Sequence, residues 1–132
     1  IILGFEGYSE KLPSNIITVN HTNSQSELAQ FYSLANITLL TSKLETFSMV
    51  CAESLSCGTP VIGFKAGAPE QIAISDYSEF VEHGDINKLE LTIEKWLSKE
   101  ILKEDVVIKV NKRYSVDNMV KNYTKIYRDL LK

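Results

Sequence analysis

Glu45 and Glu53 stand eight positions apart in the run Ser42-Lys-Leu-Glu-Thr-Phe-Ser-Met-Val-Cys-Ala-Glu-Ser-Leu-Ser-Cys-Gly-Thr-Pro-Val-Ile62. An ionised carboxylate only accepts hydrogen bonds, so it suits hydroxyl groups, which donate them. Between the two acids a helix begins. Its first amides lack partners, and together with the helix dipole they favour an anion such as a phosphate. A ligand carrying both sugar hydroxyls and phosphates, a nucleotide sugar, would match this set. Each acid also has an ordinary reading. Glu45 could be a surface acid near a helix start, where acids are favoured anyway. Glu53 could be a solvated helix carboxylate. It is, however, the only charged residue from Ser48 to Cys57, with Met49, Val50, Ala52 and Leu55 around it. A lone charge on an apolar helix is costly unless it meets water or a partner.

The elements that hold these residues follow from local signals. Residues 36–41 read as a buried strand that leads into Glu45. Residues 48–57 read as a helix stopped by Gly58 at C′, and residues 60–64 as a second buried strand. Glu45 thus lies on the loop at a strand end, and Glu53 about a turn and a half into the next helix. Upstream, residues 1–4 and 16–19 read as strands, with a polar loop holding Glu6, Gly7 and Pro13 between them. Ser24 and Glu27 have capping-box spacing and open a helix over residues 25–34. Its apolar residues Leu28, Phe31, Tyr32 and Ala35 recur at helical spacing. Downstream, Pro69 sits at the first turn of a short helix, residues 79–81 form an edge strand, and Asp85 starts a helix to Leu97. The tail is helical. Val116, Met119, Val120, Tyr123, Ile126, Tyr127, Leu130 and Leu131 form one stripe, which predicts a helix capped by Ser115 with one buried face.

Strands alternating with helices predict an α/β fold, a Rossmann-like parallel sheet with helices on both faces. Ligands in such sheets bind beyond the carboxyl ends of the strands, where Glu45 is placed. The 132 residues suffice for one domain, and the net charge of −3, without blocks of like charge, argues against nucleic acid as a partner. No apolar run is long enough to span a membrane. Cys51 and Cys57, six apart on one helix, cannot face each other, so no disulfide is expected and a reducing compartment fits. Both read as small buried packing residues. No Cys, His or Asp pair has metal-ligand spacing, so no metal and no cofactor are expected. Ile1 begins a strand already under way, which reads as a domain truncated at its N-terminus.

The pattern Ser42-x-x-Glu45-x-Phe47-x5-Glu53-x4-Gly58-Thr59-Pro60-Val61, followed by Gly67-x-Pro69-Glu70, resembles the donor-binding domain of family 4 glycosyltransferases. The similarity covers nearly the whole chain. It implies one half of a GT-B glycosyltransferase, a retaining enzyme, with residues 1–132 as a single donor-binding domain and the acceptor domain absent. Carried over residue by residue, it implies that Glu45 is the catalytic candidate, touching donor-sugar hydroxyls near the reacting carbon. Glu53 would hold the ribose hydroxyls. The backbone amides of Phe47, Ser48 and Met49 would face the diphosphate and sugar, and the loop with His21 would border the base. His21 on its own reads as a polar loop residue, and Glu70 as a complement to a helix dipole.

The resemblance further implies a nucleoside diphosphate sugar, UDP- or GDP-linked, as substrate. The sugar would pass to a glycan or lipid-linked acceptor in the synthesis of bacterial surface polysaccharide such as capsule or lipopolysaccharide. The place implied is the cytoplasm, including the inner face of the membrane through the missing domain. The alternative is a non-catalytic donor-binding subunit that docks onto a separate acceptor-domain partner. There are departures. Thr46 and Ser48 replace the glycines usual on either side of the aromatic residue, which predicts a reshaped phosphate loop. Ala66-Gly67 replaces Gly-Gly, and Glu79-Phe-Val81 lacks its glycine. The Arg and Lys that neutralise the diphosphate early in such domains have no counterpart here.

Overall fold

The computed structural model describes residues 1–7 and 9–132; residue 8 lies outside them. Among the described residues five strands, β1 (Ile2–Leu3), β2 (Thr18–Val19), β3 (Thr38–Leu40), β4 (Val61–Phe64) and β5 (Ser78–Val81), alternate with helices. The helices are α1 (Gln25–Leu34), α2 (Met49–Ser56), α3 (Pro69–Ile72), α4 (Ile86–Leu97), α5 (Lys103–Tyr114) and α6 (Val116–Leu130). All pairings are parallel, as expected for this alternation. The strands form two sheets, however, not the one expected: β1 with β2, and β3-β4-β5. Burial accounts for the difference in character. Among the described residues none before Leu40 is fully buried, so β1 and β2 are held by their own ladder and not by the core.

The three-stranded sheet carries the core on both faces. Residues of one parity face α2 and α5: Leu40 and Val61 pack with Cys51, Leu55, Val106 and Val110. Residues of the other parity face α4: Ile62, Phe64 and Val81 pack with Leu89 and Trp96. Every residue of β4 is buried, as a central strand covered on both sides requires. Burying each large aliphatic side chain of this kind contributes about 1.5–3 kcal/mol.

Helix ends match the local signals well. Ser24 accepts from the Glu27 amide at 3.2 Å, and Asp85 from the Lys88 amide at 3.0 Å. The reciprocal half of the box at Ser24 is relayed. The Glu27 carboxylate takes the Thr22 hydroxyl, and Thr22 Oγ1 in turn accepts from the Ser24 amide at 3.1 Å. At the other end of α2, the amides of Gly58 and Thr59 donate to the carbonyls of Leu55 and Ser54, both at 3.0 Å. This is a Schellman stop, with Gly58 left-handed at φ 82°. Cys51 is buried as expected, while Cys57 is only half-buried, and both thiols are free.

Helix α5 holds a different helix at each of its own ends. At its start, Lys103 Nζ donates to the carbonyls of Ser33 and Ala35, the latter at 2.7 Å, closing the end of α1. At its finish, Arg113 donates to the Gln71 carbonyl at 2.6 Å and the Tyr114 hydroxyl to that of Ile72, gripping α3. Ser115 then caps α6 by accepting from the Asn118 amide at 3.2 Å. The predicted buried face of α6 is not buried. Its stripe is at least half exposed at every position, Tyr123 and Tyr127 included, and no residue of the helix is buried. The helix packs chiefly against α5. Periodicity marked an apolar face correctly, but among the described residues nothing buries it. Among the described residues no helix is long and apolar enough to cross a membrane.

Candidate functional site

Because the strands run parallel, the loops after β3 and β4 leave the same edge of the sheet. The structure stitches them together. The Glu45 amide donates to the Ala66 carbonyl at 2.9 Å, and Glu45 forms a parallel bridge with Gly67. Glu70 clamps the second loop: its carboxylate accepts from the amides of Ala66 at 3.2 Å and Gly67 at 3.0 Å. The role of Glu70 is therefore more than complementing a dipole, since it fixes the loop on which Glu45 rests. Burial pushes its carboxyl pKa up, but the amides of Glu70, Ala66 and Gly67, helped by Lys65, outweigh this and hold it below the ordinary 4.5. A carboxylate with a lowered folded-state pKa stabilises the fold above its ordinary range, and that stability is lost as pH falls through the lowered value. Glu70→Gln is thus expected to lower the melting temperature at pH 7 and to flatten its decline below about pH 4.5. Parallel melting curves from pH 7 to pH 3 for the two proteins check this.

The half-buried Glu45 is followed by Phe47 and Met49, both well exposed, and by Ser48, only 5% exposed. Ser48 opens α2, yet it does not cap it. Its backbone is left-handed, φ 69° and ψ 79°, the one non-glycine residue so placed among those described. The backbone thus keeps a conformation that glycine takes freely, although the residue is serine. The Glu45 carboxylate lies close to the first turn of α2. Burial pushes the Cys51 thiol up to about 11, and the negative charge of Glu45 adds to the shift. Glu45, Phe47, Ser48 and Met49 are therefore brought together around one helix start, with free amides at its centre.

Glu53 stands further along α2, half-buried, and takes a hydrogen bond from the Tyr32 hydroxyl of α1 at 3.2 Å. Burial, the Glu53 charge and this bond all raise the Tyr32 pKa, so the phenol stays protonated and donates. The sequence placed Tyr32 only in an apolar stripe. The available signal was the residue type, because a partly buried tyrosine needs a partner for its hydroxyl. Among the described residues no hydrogen bond joins Glu53 to Glu45. His21 is exposed and lies beside Gly4 at the end of β1, its ring 4.0 Å from where a β-carbon on Gly4 would sit. No hydrogen bond among the described residues ties it to the other candidates.

Residues 7–113 match the family described as glycosyl transferases, group 1. The chain belongs to this family. Three relatives illustrate the similarity. N-acetyl-alpha-D-glucosaminyl L-malate synthase of Bacillus anthracis is 28% identical over 113 residues, which is 82% of this chain and 30% of the relative. D-inositol 3-phosphate glycosyltransferase of Acidothermus cellulolyticus is 28% identical over 112 residues, 79% of this chain and 24% of the relative. An uncharacterized glycosyltransferase of Methanocaldococcus jannaschii is 27% identical over 108 residues, 79% of this chain and 31% of the relative. This group 1 glycosyl transferase chain thus spans 24–31% of the length of these relatives. The family match reaches from Gly7 to Arg113 in the last turn of α5, so both stitched loops and the start of α2 lie inside it.

Proposed function

We propose that the chain is the C-terminal, nucleotide-sugar-binding domain of a family 4 retaining glycosyltransferase of GT-B architecture. The observation that supports this most is the uncapped start of α2, with Glu45 beside it and Glu53 on the same helix. In this reading the amides of Phe47, Ser48 and Met49 take the diphosphate and sugar of a UDP- or GDP-linked donor. Glu45 takes hexose hydroxyls near the reacting carbon, Glu53 takes the ribose hydroxyls, and the backbone around His21 borders the base. Charge on the departing diphosphate is the main term to be stabilised, and donors in a water-poor site do so most strongly. The remainder of the protein supplies the acceptor and further positive charge.

The acceptor is a glycan or a lipid-linked sugar of a bacterial surface polysaccharide, and the reaction takes place in the cytoplasm at or near the inner face of the membrane. This part rests on the sequence resemblance. The names of the relatives, which include malate and inositol phosphate, add small hydroxylated acceptors to those worth assaying. The exposed stripe of α6 also needs a cover. Relatives some three times this length have material for one in the same polypeptide. The alternative is a separate acceptor-domain subunit, and the mass of the native polypeptide bearing this sequence distinguishes the two.

The test uses the whole protein with a panel of UDP- and GDP-sugars. Glu45→Ala is expected to leave nucleoside diphosphate affinity within a few-fold and to slow sugar transfer about a hundredfold, the scale of misplacing a reacting group. Transfer at the wild-type rate in this variant, or failure of the wild-type protein to bind any donor of the panel, would sink the reading.

A further inference from the structure

We infer that the side-chain hydroxyl of Ser48, and not only its backbone amide, is a ligand of the donor's diphosphate. The inference rests on the reading of the α2 start as a diphosphate site and adds a group to it. The observation that carries it is the state of that hydroxyl. Ser48 is 5% exposed, and its Oγ has no hydrogen-bond partner, the single such buried side-chain oxygen or nitrogen among the described residues. Buried polar groups are nearly always paired, and an unpaired one needs a reason.

The same chain shows what a serine at a helix start does otherwise. Ser24 and Ser115 have extended backbones, φ −87° and −67°, and each accepts from the amide three residues on. This is the ordinary cap, and it consumes one of the free amides. Ser48 has the same residue type and the same position at a helix start, but a left-handed backbone, and its oxygen caps nothing. Two consequences follow. The first amides of α2 remain free of side-chain competition. The hydroxyl belongs to the residue that opens the helix, one position before the first of those amides, and it has no partner of its own to give up. The hydroxyl is covered in the free protein, so its donation needs rotation about χ1, the torsion that places Oγ. Glu45 offers no alternative partner, because among the described residues no hydrogen bond links it to Ser48.

A serine hydroxyl given to a doubly bridged phosphate makes a hydrogen bond to a charged acceptor. Losing it is expected to weaken binding about ten- to hundredfold. Calorimetric titration of the whole protein with UDP, GDP and inorganic pyrophosphate tests this, on wild type, Ser48→Ala and Ser48→Gly. Alanine removes the hydroxyl and keeps a β-carbon on the left-handed backbone. Glycine removes the hydroxyl and relieves the backbone, so it stays folded even where alanine does not. The expected result is that both variants keep or raise the melting temperature, since an unpaired buried hydroxyl is gone, and both lose the same ten- to hundredfold in affinity. If wild type binds and either folded variant binds as tightly, the hydroxyl is not a ligand and this inference falls alone. If wild type binds none of the three probes, the diphosphate site falls, and this inference falls with it.

Discussion

Replacing Glu53 by alanine in the whole protein is expected to weaken nucleoside diphosphate binding about a hundredfold. A carboxylate that accepts two ribose hydroxyls makes two charge-assisted bonds, each contributing about 1.5–3 kcal/mol, so a loss near 3 kcal/mol is a conservative sum. The competing account is structural. Glu53 takes the Tyr32 hydroxyl at 3.2 Å and so ties α2 to α1, and its removal would also strand a partly buried phenol. Tyr32→Phe separates the two accounts. It removes the same inter-helix bond and keeps the carboxylate. If Glu53 is a ligand, Tyr32→Phe lowers the melting temperature about as much as Glu53→Ala but reduces nucleotide affinity less than tenfold, through looser placement of the acid. If Glu53 only joins helices, the two variants match in both melting temperature and affinity. Calorimetric titration with UDP and GDP beside thermal melts gives both readouts. Equal affinity in Glu53→Ala and wild type would remove Glu53 from the site altogether.

The parts legible in the sequence were those written in local chemistry. Helix α1 runs over Gln25–Leu34 and α4 over Ile86–Leu97, as Ser24 with Glu27 and Asp85 predicted, because a cap involves residues three apart. The stop of α2 at Gly58 was equally local. The placement of Glu45 at a strand end followed from reading residues 36–41 as a buried strand and from the general rule for parallel sheets. What failed to show was set by partners far along the chain. The bond from Tyr32 to Glu53 spans 21 positions, and a tyrosine fits an apolar stripe as well as a leucine would. A serine before a helix reads as a cap. At Ser48 the backbone angle is left-handed, on a loop whose earlier residue Glu45 is tied to Ala66 and Gly67. The stripe of α6 was visible, but no pattern within a helix says what will cover it. Likewise strand signals do not say how many sheets the strands will form.

Gly63→Ala is expected to cost the fold about 3 kcal/mol or more, a large share of the 5–15 kcal/mol that holds an ordinary domain. The reason is space, not backbone angle. A β-carbon at Gly63 would lie 2.1 Å from the Leu40 carbonyl oxygen and 2.9 Å from the Leu40 β-carbon. Leu40 is paired with Gly63 in the β3–β4 ladder, and Leu40 is itself in the core. Neither atom is the end of a flexible side chain, so relief requires β3 to move away from β4. That movement would break hydrogen bonds and carry the loop bearing Glu45 away from its bridge with Gly67. Gly84 provides the contrast. Its φ is +89°, but nothing lies within 4 Å of a β-carbon there. Gly84→Ala therefore meets only the left-handed penalty, about 1–2 kcal/mol. Urea titrations of the two variants should show the Gly63→Ala midpoint far below that of Gly84→Ala, with donor binding impaired only in the former. The opposite order would mean that β3 can shift freely against β4. The stitched loops would then be too loosely founded to hold Glu45 in register with α2.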